Sequence, residues 1–362
     1  MRGIPIFQKE TPLSLGGNHM SLNGHKTPAD LSQFWVILVI SNPIRYKRRY
    51  ELYWDALDMC KAAGVNVVTV EQAFGERPFM VTEEGNINHL QVRSHEELWH
   101  KENMINMGIK HAQAIAPGRV KQVAWIDADC RPARPYRDWF EETWHQLQHY
   151  EFVQMWHSMI DLDNDYNAIG GPQMSFAAAY QKFGFDPEII LTGDELTYPS
   201  DECSITTRTK SVLDGRPGLA WAANIDAINK VGGLMDYCVL GAGDWYMAYA
   251  LIGGLGAVVP FDPNSTYIKK MFRWQDLCER WIKRDIGFVS GVVYHDFHGK
   301  KSFRQYGTRG KILVDCQFDP DLDLKYDTQG MLQLETWEPR QIKLRDRLRT
   351  YFRDRNEDSI DL

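Results

Sequence analysis

FWVILVISNPIRYKRRYELYWDALDMCKAAGVNVVTVEQAF (residues 34–74) is the stretch that decides the fold. The apolar run from Phe34 to Ile40 reads as a buried strand that ends in the turn Ser41-Asn42-Pro43. Tyr50, Trp54, Leu57 and Cys60 then recur at helical spacing until Gly64, a helix stop. NVVTVEQAF is a second strand and HLQVRS (89–94) a third. ELWHKENMINMGIKHAQAIAP (97–117) reads as a helix closed at Pro117-Gly118, and KQVAWIDADC (121–130) as another apolar strand. Strands alternating with helices require crossover connections and a parallel sheet of Rossmann-like α/β kind. Ligands of such sheets sit beyond the carboxyl ends of the strands. The ends Ser41-Asn42 and Asp127-Ala128-Asp129 therefore face one crevice. No G-x-G-x-x-G or G-x-x-x-x-G-K-[ST] loop follows a strand, so the dinucleotide and P-loop classes lack their phosphate-binding loops.

The rest of the chain sets the bounds. Its 362 residues are 44% hydrophobic and 25% charged, a globular composition. A formal net charge of −7 argues against non-specific coating of nucleic acid. Cys60, Cys130, Cys203, Cys238, Cys278 and Cys316 form no C-x-x-C pair and read as free thiols of a reducing cytoplasm. No apolar run approaches the roughly 20 residues of a membrane span, and no signal-peptide arrangement opens the chain. Residues 1–33 read as a flexible leader, and 161–215, rich in Asp, Gly, Pro and Thr, as an insertion or mobile loop.

Three features carry chemistry. Asp127 and Asp129 end a hydrophobic strand as D-x-D, two carboxylates able to hold a hard divalent cation. By itself this is as readily a solvated strand-end turn, where Asp is common. Asp244, in Gly241-Ala-Gly243-Asp244-Trp245, opens a helical segment and suits either a helix cap or a general base. His295 and His298, just past a strand, suit either metal ligation or satisfied structural imidazoles.

Together and in this order, these features resemble the GT-A glycosyltransferase superfamily. The resemblance implies a mixed, mostly parallel α/β sheet flanked by helices, with a C-terminal helical extension. It implies a catalytic domain over 34–318, with a nucleotide-binding half (34–150) and an acceptor half (151–318), followed by a basic tail (319–362). It implies Mn²⁺ or Mg²⁺ as cofactor and a UDP-sugar as donor. Asp127 and Asp129 would bind the metal, with Asp127 also at the ribose or diphosphate. His295 or His298 would be the late ligand, and Asp244 the acceptor-side base. Trp221 and Asn224 would line the donor sugar, Ser41-Asn42 would hold uracil and ribose, and Lys101 would reach the diphosphate. One departure is that Gly243-Asp244 stands where many relatives carry Glu-Asp.

The acceptor is read from charge. Lys300, Lys301, Arg304, Arg309 and Lys311 form a run without an acidic residue, with Tyr306 among them, and Arg340 to Arg355 mark the tail. Cations position phosphates and aromatics stack bases, which suits a polynucleotide. The late motif H-x-x-H-G-x-x-x-x-R-x-Y-x-x-R resembles a phage and bacterial group, pointing to 5-hydroxymethylpyrimidine (5-hydroxymethylcytosine) in double-stranded DNA. Such an enzyme would work in the host cytoplasm without an obligate protein partner. A saccharide or lipid-linked glycan is the alternative acceptor. Readings of another class are a sugar nucleotidyltransferase, or a non-catalytic nucleotide-sugar binder.

Overall fold

The computed structural model describes residues 28–185, 213, 215–259 and 266–360. Most of the leader, most of the insertion, and Cys203 lie outside the described residues. Strand β1 (Phe34–Ser41) is almost wholly buried, as a central parallel strand requires. Helix α1 (Lys47–Ala63) stops at Gly64, whose left-handed backbone (φ 76°) turns its N–H back to the Cys60 and Lys61 carbonyls. Then come β2 (Asn66–Phe74), β3 (His89–Ser94) and α2 (Lys101–Ile115), which starts four residues later than its sequence pattern. β4 (Gln122–Ile126) runs to Asp127, where a tight turn closed by Cys130 N–H on the Asp127 carbonyl (2.9 Å) launches β5 (Cys130–Pro132).

After α3 (Tyr136–Gln146) follow β6 (Phe152–Gln154), β7 (Ser158–Leu162), β8 (Ala168–Met174) and α4 (Phe176–Phe183). The stretch expected to loosen into a loop thus opens with a hairpin and a helix. AIGGPQM of β8 is exposed along most of its length, an edge strand with no alternation to read. β9 (Ala220–Asn224), α5 (Ile225–Val231), α6 (Gly243–Leu251), α7 (Thr266–Trp281), β10 (Ile286–Phe288) and β11 (Val292–His295) come next. α8 (Lys311–Asp315), α9 (Pro320–Asp323), the ribbon of β12 (Leu324–Tyr326) and β13 (Leu332–Leu334), and α10 (Pro339–Asp354) follow.

The main sheet has the order β10-β6-β9-β4-β1-β2-β3, and only β9 runs antiparallel to its neighbours. This is the mixed, mostly parallel α/β sheet expected. Successive residues of β1 feed opposite cores: Ile37 packs with Val70 and Ile105 on the α2 side, Leu38 with Tyr53 and Phe140 on the α1–α3 side. A second sheet, β5-β11-β7-β8, sets His295 opposite Cys130 on one side and opposite Asp161 on the other.

The stretch expected as a basic tail packs on the body. α10 buries Leu344, Leu348, Tyr351 and Phe352. Three of its cations pair with carboxylates of the body: Arg340 with Asp323 (2.8 Å), Arg347 with Asp315 (2.8 Å) and Arg353 with Glu97 (2.7 Å). Cys60, Cys130, Cys238, Cys278 and Cys316 are buried free thiols. Among the described residues, no helix is long and apolar enough to cross a membrane.

Candidate functional site

The β4–β5 turn and the register of β11 build the centre. Asp129 Oδ2 stands 2.6 Å from His298 Nε2 and 3.3 Å from His295 Nε2. One ligand atom from each of the three residues lies within 4.8 Å of the others. The other carboxylate oxygen, Asp129 Oδ1, is buried without a hydrogen-bond partner. One carboxylate with a spare oxygen and two imidazoles fit a divalent cation that accepts both oxygen and nitrogen, which favours Mn²⁺ over Mg²⁺. Burial would raise the Asp129 carboxyl, but the two imidazoles hold it well below the usual range. Burial would lower His295, but Asp129 and the hydrogen bond to Asp161 carry it up to about 9. His295 Nδ1 is 2.7 Å from Asp161 Oδ1, and Asp161 is held in turn by Lys301 (2.5 Å) and Gln173 (2.6 Å).

The two D-x-D carboxylates part company. Asp127 turns away from the His pair and forms an ion pair with Lys101. Burial raises its carboxyl, Lys101 opposes that, and the charges of Asp129 and Asp244 add to it. Asp244 lies on the first turn of α6, yet the cap position belongs to Ala242 (φ 68°). Asp244 Oδ1 accepts the Trp245 N–H at 2.9 Å. Its Oδ2 is 2.9 Å from where a Cβ on Gly218 would stand, and the neighbouring Leu219 carbonyl accepts the Asp127 N–H at 2.7 Å. Asp244 therefore borders the D-x-D turn.

A group that sequence reasoning passed over joins it. Glu102 is 3% exposed, and its Oε2 has no partner. Its Oε1 sits 2.7 Å from where a Cβ on Gly243 would be, beside Asp244. Burial, opposed by Lys101 and reinforced by Asp244, pushes its carboxyl up to about 8. In the sequence, Lys101-Glu102-Asn103 is one more charged helix start; the signal that sets it apart is Gly243, whose lack of a side chain leaves room for it.

A pocket opens between the ends of β1 and β4, lined by Ser41, Arg49, Lys101, Asp127, His298 and Arg355 among others. Trp99 and Phe352, also on its wall, stack with centroids 6.3 Å apart. The side chains of the other donor-side residues are engaged within the fold. Asn42 spends its side chain closing the β1–α1 turn, with hydrogen bonds of 2.8 and 2.9 Å to the Tyr46 backbone. Trp221 is buried in β9 opposite Trp125, its indole N–H on the Pro217 carbonyl at 2.6 Å. Asn224 pairs with Gln122 at the start of β4, the end opposite Asp127, and donates to the Leu147 carbonyl at 3.1 Å. It is therefore not at the crevice, because β9 runs antiparallel to β4.

The basic run after His298 turns inward. Arg304 is buried, with Nη2 2.8 Å from His298 Nε2, Nη1 3.1 Å from the Tyr306 hydroxyl, and Nε without a partner. Arg309 and Arg355 both donate to the Tyr351 hydroxyl, at 3.0 and 2.9 Å. Arg355 and Arg49 share Glu357. Three guanidinium groups thus gather about His298: Arg304 on the ring itself, and Arg49 and Arg355 on the carboxylate behind it.

No protein-family model matches the chain, and no curated protein matches it. Among solved structures, the catalytic domain of Drosophila β1,4-galactosyltransferase 7 complexed with xylobiose superposes with a TM-score of 0.37 at 11% identity, over 86% of this chain and 98% of that one. A mutant of that enzyme complexed with manganese, UDP-Gal and xylobiose gives a TM-score of 0.36 at 10% identity, over the same shares. Both superpositions are loose.

Proposed function

We propose that this protein is a metal-dependent glycosyltransferase of the GT-A type, moving a sugar from a UDP-sugar to an acceptor hydroxyl. The observation that carries the reading is the Asp129–His295–His298 triad at the end of a central strand, with an unpartnered buried oxygen on Asp129. These three residues would hold Mn²⁺ or Mg²⁺, with Asp127 next to them. When bound, the cation neutralises charge on the departing diphosphate. His298 Nε2 faces both a carboxylate at 2.6 Å and a guanidinium at 2.8 Å, and no one protonation state satisfies both. Giving that lone pair to a cation would release Arg304 to an anion. Arg304, Arg309 and Arg355 then suit the donor's phosphate oxygens. Ser41 and the Trp99 ring wall the pocket where the nucleoside fits. Asp244 takes the acceptor proton as the acceptor oxygen bonds to the anomeric carbon and the bond to diphosphate breaks, so UDP leaves with the electron pair.

A saccharide hydroxyl is the acceptor we favour over hydroxymethylated DNA. Of the five cations expected along a DNA backbone, Lys301 is held by Asp161, and Arg304 and Arg309 are turned to tyrosines. Only Lys300 and Lys311 have no partner among the described residues. Incubation with UDP-glucose, UDP-galactose and UDP-N-acetylglucosamine, with UDP release followed, tests the reading. We expect release with Mn²⁺, none in EDTA, and none from Asp129→Ala. Full release in EDTA would reject a metal-dependent transferase.

A further inference from the structure

The residues just after α10 lie against the metal triad, though nothing in their local sequence suggests it. Glu357 is 2% exposed and is clamped by Arg49 Nη2 (2.7 Å) and Arg355 Nε (2.5 Å). Its Oε2 lies 3.8 Å from His298 Nδ1, while His298 Nε2 faces Asp129. His295 is arranged in the same way, with Asp161 behind Nδ1 and Asp129 before Nε2. Each imidazole therefore has Asp129 on one nitrogen and a second carboxylate behind the other. Asp161 makes a hydrogen bond; Glu357 acts at longer range through its charge.

The segment is seated from three sides. Gly299, directly after His298, has φ 84°, and a Cβ there would stand 2.8 Å from the Asn356 carbonyl oxygen and 2.9 Å from Glu357 Cα. The Tyr46 hydroxyl accepts the Asn356 N–H (3.0 Å) and donates to the Arg353 carbonyl (2.9 Å). Asp358 accepts the Lys47 and Arg48 N–H groups, both at 2.9 Å, and so caps α1, which has no side-chain cap of its own.

We propose that Glu357 is a positioning residue for the cation: it orients His298 with the proton on Nδ1 and the lone pair on Nε2, while Asp358 serves only to cap α1. The inference rests on the metal reading above. A carboxylate behind a ligating imidazole fixes its tautomer and ring orientation, and loss of such a partner weakens metal binding about 10- to 100-fold.

The test is Mn²⁺ affinity by titration calorimetry, on the full chain without donor. Glu357→Gln weakens binding by about 10- to 100-fold, whereas Asp358→Ala lowers the melting temperature with affinity unchanged. On a His298→Ala background, Glu357→Gln adds no further loss, because its effect passes through that ring. Wild-type affinity in Glu357→Gln, or an equal further loss without His298, overturns the proposal while leaving the metal reading in place. Unaltered Mn²⁺ binding by Asp129→Ala and His298→Ala would instead remove the metal reading and this inference with it. If Glu357→Gln does not fold, histidine ¹H–¹⁵N NMR of the wild type with Zn²⁺ decides the same point. A proton on His298 Nδ1 supports the proposal, and one on Nε2 overturns it.

Discussion

At the start of α6, Asp244 and Glu102 are neighbours in different surroundings. Asp244 is half-buried beside the D-x-D turn, while Glu102 is enclosed with one oxygen unpartnered. Asp244→Asn keeps an oxygen for the Trp245 N–H but cannot take a proton, so kcat should drop by about two to four orders of magnitude. Near-normal turnover would leave Asp244 a merely structural role. Glu102 makes a different, pH-dependent forecast. Its carboxyl is near 4.5 when unfolded and about 8 when folded, so the folded state holds the proton more tightly. Its contribution to stability is present below pH 4.5, is lost progressively up to about 8, and is constant above that. Glu102→Gln does not titrate; its melting temperature relative to wild type should therefore climb by several degrees from pH 5 to pH 8. A difference independent of pH, read by differential scanning calorimetry, would count against this account.

Helix α2 meets the sheet at Gly108, and there two effects compete. Alanine would gain up to about 1 kcal/mol in helix propensity, but its Cβ would stand 2.5 Å from an Ile37 methyl inside the core. Overpacking of that kind costs about 1–3 kcal/mol, so Gly108→Ala should lower the urea midpoint; an unchanged or higher midpoint would show that α2 can slide. β1, α1, β2, β3, α2 and β4 were all legible, because each has a strong apolar period and a terminator such as Gly64 or Pro117. From the order of those elements it followed that Asp127 and Asp129 share the crevice with Ser41. The register that puts His295 between Cys130 and Asp161 did not follow, because β5 and β7 are short and pair across more than 130 residues. Arg304 and Arg309 read as surface cations, since a sequence records charge and not which way it faces. Glu357 was invisible for a related reason: its partner Arg49 is 308 residues away.

Across the whole molecule, acidity and local basicity coexist: a net charge of −7 surrounds a pocket lined by Arg49 and Arg355, with Arg304 against its His298 wall. Cation binding to the folded state alone should stabilise it, by about 2.7 kcal/mol at a hundred times Kd. Thermal melts in Mn²⁺ should therefore shift upward for the wild type and stay fixed for Asp129→Ala; equal shifts in both would place the ion elsewhere. The ion pair of Lys101 with Asp127 bears on how the molecule waits for that ion. Asp127, Asp244 and Glu102 crowd around the Lys101 ammonium, which keeps a positive charge among them at all times. The acidic cluster therefore holds a counter-charge of its own, whether or not a cation is bound. Folding should therefore not require the ion: chains refolded in EDTA should bind Mn²⁺ as tightly as chains refolded in its presence, because the acids of the crevice already have a counter-charge.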